Sequence, residues 1–157
     1  MTLRVHPAKP ADVDAVAALE LDCFPQDAWT RAYVSDVVAH KMPHATLLVA
    51  ELDGRVVGHA IVSVVYDVAE LQRIGVSTAY RRQGVARRLL SGARVHAWER
   101  RATRLLLEVR ENNLGAVTFY RKSGFREIDR RPKYYADGST AIVFELDLVD
   151  PVERRRW

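Results

Sequence analysis

Cysteine is nearly absent. Cys23 stands alone among 157 residues, so no internal disulfide is possible and a reducing cytoplasm is the natural setting. No apolar run approaches the ~18 residues of a membrane span, and Met1 to Pro7 lacks the layout of a secretory leader. The chain therefore reads as cytoplasmic, with no membrane partner. The five histidines, His6, His40, His44, His59 and His96, show no metal-ligand spacing, which argues against a metal site. The net charge is +4, yet the arginines are scattered and no dense basic patch is interleaved with aromatics. Direct nucleic-acid binding is not expected from that distribution. Internal repeats, low-complexity segments and an interdomain linker are also missing.

What is present suits a packed protein. The composition is 48% hydrophobic and 28% charged, enough for a real core. The length suits one domain, placed over residues 1–148, with a loose basic tail over 149–157. The patterning alternates strand and helix. Leu3 to Val5 reads as a short strand, and Ala11 to Cys23 as a helix with Val13, Val16, Ala17 and Leu21 on one side. Phe24-Pro25-Gln26-Asp27-Ala28-Trp29 breaks that helix, and Thr30 is a candidate N-cap for a second one through Val38. These two helices form either a cleft wall or an ordinary helix–helix connection. Thr46 to Glu51, Arg55 to Tyr66 and Ala69 to Val76 read as an antiparallel meander, with Asp53-Gly54 as the first hairpin turn and Asp67-Val68 as the second.

The stretch from Leu71 to Leu90 organises the rest. It reads as strand, basic glycine-containing loop and helix. Val85, Ala86, Leu89, Leu90, Ala93 and Ala97 form an apolar stripe at helical spacing. Arg81, Arg82, Arg87 and Arg88 crowd the helix start, where unpaired N–H groups and the dipole already favour an anion. Gly84 permits close backbone approach, and the amides of Gly84, Val85 and Ala86 are free to grip phosphate oxygens. The alternative is a solvated basic helix start.

Leu105 to Val109 reads as a strand parallel to the one ending at Val76, buried on both faces. Asn113 is a candidate N-cap for a helix carrying Ala116, Val117, Phe119 and Tyr120, and Gly124 ends it. Phe125 to Arg130 and Thr140 to Leu146 close the chain as a hairpin. In an open sheet, ligands bind beyond the carboxyl ends of parallel strands where their connections diverge. That point holds the Arg81–Gly84 loop and Glu108. A partly buried carboxylate after three leucines suits a general base with a raised pKa; the alternative is a strand-end glutamate bonding an arginine such as Arg110. Tyr120 lies two helical turns from Asn113 on one face, either pointing into the cleft or packing in the core.

These segments resemble the GCN5-related N-acetyltransferases from about Leu3 to Leu146, and within them the ribosomal-protein-alanine N-acetyltransferase type. The matches are Ile74-Gly75-Val76, Arg81-Arg82-Gln83-Gly84-Val85-Ala86-Arg87, Leu107-Glu108-Val109-Arg110, and Asn113, Ala116, Tyr120, Gly124, Phe125 and Tyr134-Tyr135. Ala86 stands where glycine is common. The resemblance implies an α/β (α+β) acyl-CoA N-acyltransferase fold, a mixed sheet of about seven strands with about four helices and a splayed parallel pair at the cofactor site.

It also implies roles. The backbone of Ile74, Gly75 and Val76 would pair with the pantetheine arm of acetyl-CoA. Loop residues from Arg81 and Arg82 through Gln83, Gly84, Val85, Ala86 and Arg87 would hold the pyrophosphate, and Asn113 would bond the cofactor arm. Glu108 would act as general base, Tyr120 would protonate the leaving thiolate, and Phe24, Pro25 and Tyr134 would shape the slot for a protein N-terminus. The implied activity is acetylation of an N-terminal amine in a ternary complex, with a small-subunit ribosomal protein ending in alanine as the expected partner. A monomer or weak dimer is expected. The competing activities are acetylation of lysine or a small amine, or acyl-CoA sensing without catalysis.

Overall fold

A computed structural model describes residues 2–150, so most of the expected basic tail lies outside the described residues. The strands are β1 (Leu3–Pro7), β2 (Ala45–Leu52), β3 (Arg55–Val65), β4 (Val68–Val76), β5 (Arg104–Arg110), β6 (Arg126–Arg131) and β7 (Ala141–Asp147). The helices are α1 (Val13–Cys23), α2 (Arg31–Val38), α3 (Val85–Glu99) and α4 (Leu114–Lys122). The strands form one sheet in the order β1-β2-β3-β4-β5-β7-β6. Among the described residues only β4 and β5 pair in parallel.

The expected meander is there. Its second turn sits one residue earlier than expected, at Tyr66-Asp67, because Val68 already pairs with Val65. Helix α1 follows a short 3₁₀ turn over Pro10–Asp12, as a proline at a helix start favours. Its buried residues are Val13, Val16, Leu19 and Glu20, whereas Leu21, expected inside, is 65% exposed. The buried stripe thus turns toward Glu20, which a hydrophobicity count places outside.

Helix α3 buries Val85, Leu89, Leu90, Ala93, His96 and Ala97 against the sheet. Each fully buried leucine contributes about 1.5–3 kcal/mol. The α3-side core also takes Leu71, Leu105, Leu107 and Phe144, with Tyr120 and Phe119 packed at its edge. A second core lies on the opposite face, where Val13, Val16, Val34 and Val37 of α1 and α2 meet Leu47, Val49 and Ile61.

Two irregularities position the site. Ile61 pairs with Arg73 and Val62 with Leu71, so Gln72 is an extra residue that reverses which face the following side chains meet. Leu71 and Ile74 face the α3 side, while Arg73 bonds Glu20 of α1. Strands β4 and β5 then part: they pair only from Val68–Arg104 to Glu70–Leu106. Strand β5 corrects the expectation of burial on both faces. Leu105, Leu107 and Val109 are buried, but Leu106, Glu108 and Arg110 are only half-buried, giving the alternation of a one-sided strand.

Candidate active site

The splay leaves residues 71–76 of β4 without a β5 partner, an open strand edge along one wall of a groove. The groove has three connected parts. At one end, Val76, Tyr80, Arg81, Arg82, Gly84, Val85, Ala86, Arg87 and Phe119 line a cleft of about 440 Å³. The middle is walled by Ile74, Gly75 and Val76 on one side and Asn113, Ala116, Phe119 and Tyr120 on the other. The far end, about 450 Å³, is bounded by Phe24, Pro25, Asp27, Arg73, Glu108, Arg110 and Tyr135, with Tyr120 and Asn113 shared with the middle.

The loop end has the chemistry of an anion site. Gly84 is the N-cap of α3 with φ +83°, left-handed backbone that glycine adopts without strain. The first-turn amides of Val85, Ala86 and Arg87 have no helical acceptor. Val85 is 2% exposed, with its side chain packed in the α3-side core. Among the described residues no ion pair engages Arg81, Arg82 or Arg87. Arg81 donates from Nε to the Val76 carbonyl at 3.3 Å. Gln83 instead turns back to the Ala79 carbonyl and does not line the cleft. The first-turn amides, the Arg82 and Arg87 side chains and the open β4 edge fit a long, polyanionic thioester such as acetyl-CoA.

In the middle, Gly75 is required by contact. A Cβ there would lie 2.6 Å from Cε1 of His59 and 3.3 Å from the Cys23 sulfur. The glycine thus marks a close approach by a side chain, while the bulge itself lies at Gln72. Asn113 accepts from the Ala116 amide at 3.2 Å, the expected N-cap, and also faces the groove. Tyr120 makes edge contacts with Phe119, Phe125 and, tilted, Phe144. Burial pushes its phenol up to about 12.

At the far end, Glu108 is a quarter exposed and pairs with Arg131 at 2.7 Å. Glu108 is thus a strand-end glutamate bonding an arginine, as the alternative reading expected, but the arginine is Arg131 of β6 rather than Arg110, which pairs with Asp137. Tyr134 stands half-exposed outside the cleft lining, and Tyr135 takes the lining position. The two rings meet edge to face at 5.1 Å, and Arg110 lies over Tyr135 at 3.9 Å. The Tyr134 phenol is raised chiefly by the adjacent Glu108 carboxylate, which favours the protonated donor. The Glu70 carboxyl is raised by burial and then by the charge of Glu108.

Sequence reasoning missed Glu20, His59 and Arg73. Glu20 and His59 are fully buried and joined at 2.6 Å, and Arg73 meets Glu20 at 2.6 Å. A signal existed for one of them: Glu20 follows Val13 and Val16 at i+7 and i+4, a spacing that puts it on the buried stripe.

The model of the Acetyltransferase (GNAT) family matches residues 13–125. The N-alpha-acetyltransferase RimI of Mycobacterium tuberculosis is 33% identical over 147 residues, covering 90% of each chain. The [ribosomal protein bS18]-alanine N-acetyltransferase of Escherichia coli is 37% identical over 99 residues, 61% of this chain and 67% of that protein. The crystal structure of the ribosomal-protein-S18-alanine N-acetyltransferase from Escherichia coli superposes with a TM-score of 0.82 at 27% identity, covering 95% of this chain and 96% of that one. The chain belongs to the GNAT family of acetyltransferases.

Proposed function

We propose that the protein transfers the acetyl group of acetyl-CoA to the free N-terminal amine of a protein, with the N-terminal alanine of a small-subunit ribosomal protein as the preferred acceptor. The observation that carries this reading is the continuity of the groove. The cationic Arg81–Arg87 loop lies at one end, and Glu108 lies at the other. The names of the relatives above support the choice of acceptor.

In this reading the loop amides and arginines bind the diphosphate, and Ile74, Gly75 and Val76 pair with the pantetheine amides along the open β4 edge. Asn113 braces the arm from α4. Phe24, Pro25 and Tyr135 bound the acceptor, with Tyr134 at the rim. Glu108 takes the proton from the acceptor ammonium. The freed amine attacks the thioester carbonyl carbon, a C–N bond forms, the C–S bond breaks as the sulfur leaves as thiolate, and the nitrogen's second proton, lost as the amide forms, passes to the thiolate to give the free thiol. An α-amine titrates near 8 against about 10.4 for a lysine, so a carboxylate deprotonates the former far more readily.

Tyr120 stabilises the leaving sulfur by donating a hydrogen bond. Burial pushes its phenol up to about 12, so it holds its proton at neutral pH while it bonds the sulfur. Burial therefore keeps Tyr120 a neutral donor. The test is mass-spectrometric detection of acetyl transfer to short peptides that carry a free N-terminal Ala, Ser, Gly, Met or Thr and an internal lysine. Acetyl on the α-amine with alanine preferred supports the proposal. Acetyl on lysine, or none despite tight acetyl-CoA binding, refutes it.

A further inference from the structure

We propose that Glu20 and Arg73 are positioning residues that clamp the Phe24–Trp29 segment to β4 and thereby set the acceptor wall of the groove. The inference rests on the reading of that end as the acceptor site.

Glu20 is fully buried, and both of its oxygens are used. Oε2 accepts from Nε2 of His59 at 2.6 Å. Oε1 accepts from Nη1 of Arg73 at 2.6 Å and from the Trp29 amide at 2.9 Å. Arg73 then reaches the segment itself. It donates to the Asp27 carbonyl at 3.2 Å and to Asp27 Oδ2 at 3.2 Å. Its guanidinium lies over Phe24 at 4.2 Å and over Trp29 at 4.7 Å. The Arg73 side chain is 12% exposed. One guanidinium thus holds the backbone and two rings of the segment, and it precedes Ile74 of the open strand edge.

A buried ion pair is a poor way to gain stability, because apolar residues of the same volume serve as well. Its distinct property is direction. The guanidinium fork fixes several acceptors in one plane, and its face stacks on aromatic rings, neither of which a lysine reproduces. The Gln72 bulge is what turns Arg73 toward α1. His59 completes the hub. Its ring packs under Gly75 and edge-on to Phe24 at 6.5 Å. Among the described residues its Nδ1 has no hydrogen-bond partner, and Nε2 bonds Glu20. The acceptor wall is thus fixed through this buried anchor to β4, whose edge residues Ile74, Gly75 and Val76 are held independently by pairing with β3.

The test compares wild type with Arg73→Lys and Asp27→Ala. Arg73→Lys keeps the charge and loses the fork. Asp27→Ala removes only the outer link, from a side chain 66% exposed. The acceptor KM rises about tenfold in Arg73→Lys and severalfold in Asp27→Ala, while the acetyl-CoA KM stays within about twofold, as expected when positioning alone is lost. Acceptor and acetyl-CoA KM rising together, or neither moving, overturns the clamp. Amide exchange of residues 24–30 needs no acceptor. Faster exchange there in Arg73→Lys, with β2 and β3 unchanged, supports the clamp, and unchanged exchange overturns it. A wild type that acetylates no peptide refutes the proposed function, and the exchange result then decides the clamp by itself.

Discussion

Glu108 and Arg131 form an ion pair across β5 and β6, with Oε1 accepting from Nη1 at 2.7 Å. In the proposed reaction the acceptor ammonium must approach the same carboxylate, so Arg131 competes with the substrate. Glu108→Gln lowers kcat by about 10²–10⁴, the value of a positioned base, with little change in the acetyl-CoA KM. Arg131→Met lowers the acceptor KM, by up to about fivefold, since a half-exposed pair is worth roughly 1 kcal/mol or less. Steady-state kinetics on both variants checks this, and a higher acceptor KM in Arg131→Met would show that the arginine binds the acceptor instead.

Tyr120 supplies a spectroscopic check. With the phenol near 12, no alkaline loss of activity below about pH 11 arises from this residue. Tyr120→Phe lowers kcat by roughly tenfold, the worth of about 1.4 kcal/mol for one hydrogen bond. It also removes the highest-pKa component of the ultraviolet phenolate titration. Loss of a component near 10 instead would place Tyr120 in water.

His96 couples stability to pH. Burial, and secondarily the Arg100 charge, pushes its pKa down to about 4 from 6.5, and Arg100 donates to its Nδ1 at 3.0 Å. The unfolded chain takes up this proton near 6.5 while the folded chain excludes it until about 4. The unfolded state is thus the more protonated within that window, and stability falls as pH drops through it. The loss amounts to about 2 kcal/mol between roughly pH 7 and pH 5. His6 acts with opposite sign, since its carbonyl bond to Pro7 and its pairing with Glu51 raise its pKa. The diagnostic is therefore the difference between wild type and His96→Leu in urea unfolding at the two pH values. An identical pH slope in the variant would refute it.

Gly75→Ala places a Cβ 2.6 Å from the His59 ring. Overpacking of this kind costs about 1–3 kcal/mol, and the ring has no room to retreat because Glu20 holds its other side. The variant unfolds at lower denaturant with an unchanged m-value. The cost is non-additive with His59→Ala, because that truncation removes the clash. Additive losses in a double-mutant cycle would contradict this contact.

Much of the architecture follows from local rules. The Asp53-Gly54 turn, the Thr30 and Asn113 caps, the stripe of α3 and the Gly84 helix start each depend on residues within a few positions of one another. Short-range sterics and capping bonds therefore make them legible in the chain. So were the two ends of the groove, because a basic glycine loop and a carboxylate at neighbouring strand ends are sequence features.

What the tertiary structure decided are the partners. Arg131 lies 23 residues from Glu108, His59 lies 39 from Glu20, and Arg73 lies 53 from Glu20. The single-residue bulge at Gln72 selects the face on which Arg73 emerges, and a period-two pattern cannot announce where it will slip by one. Tyr135 rather than Tyr134 enters the cleft for a similar reason: loop backbone, not spacing, aims adjacent rings. Strand β5, apolar enough to read as buried on both faces, has Glu108 on its half-open face. Whether a face is covered depends on which helix packs there, a choice made only when distant segments compete for the same apolar surface.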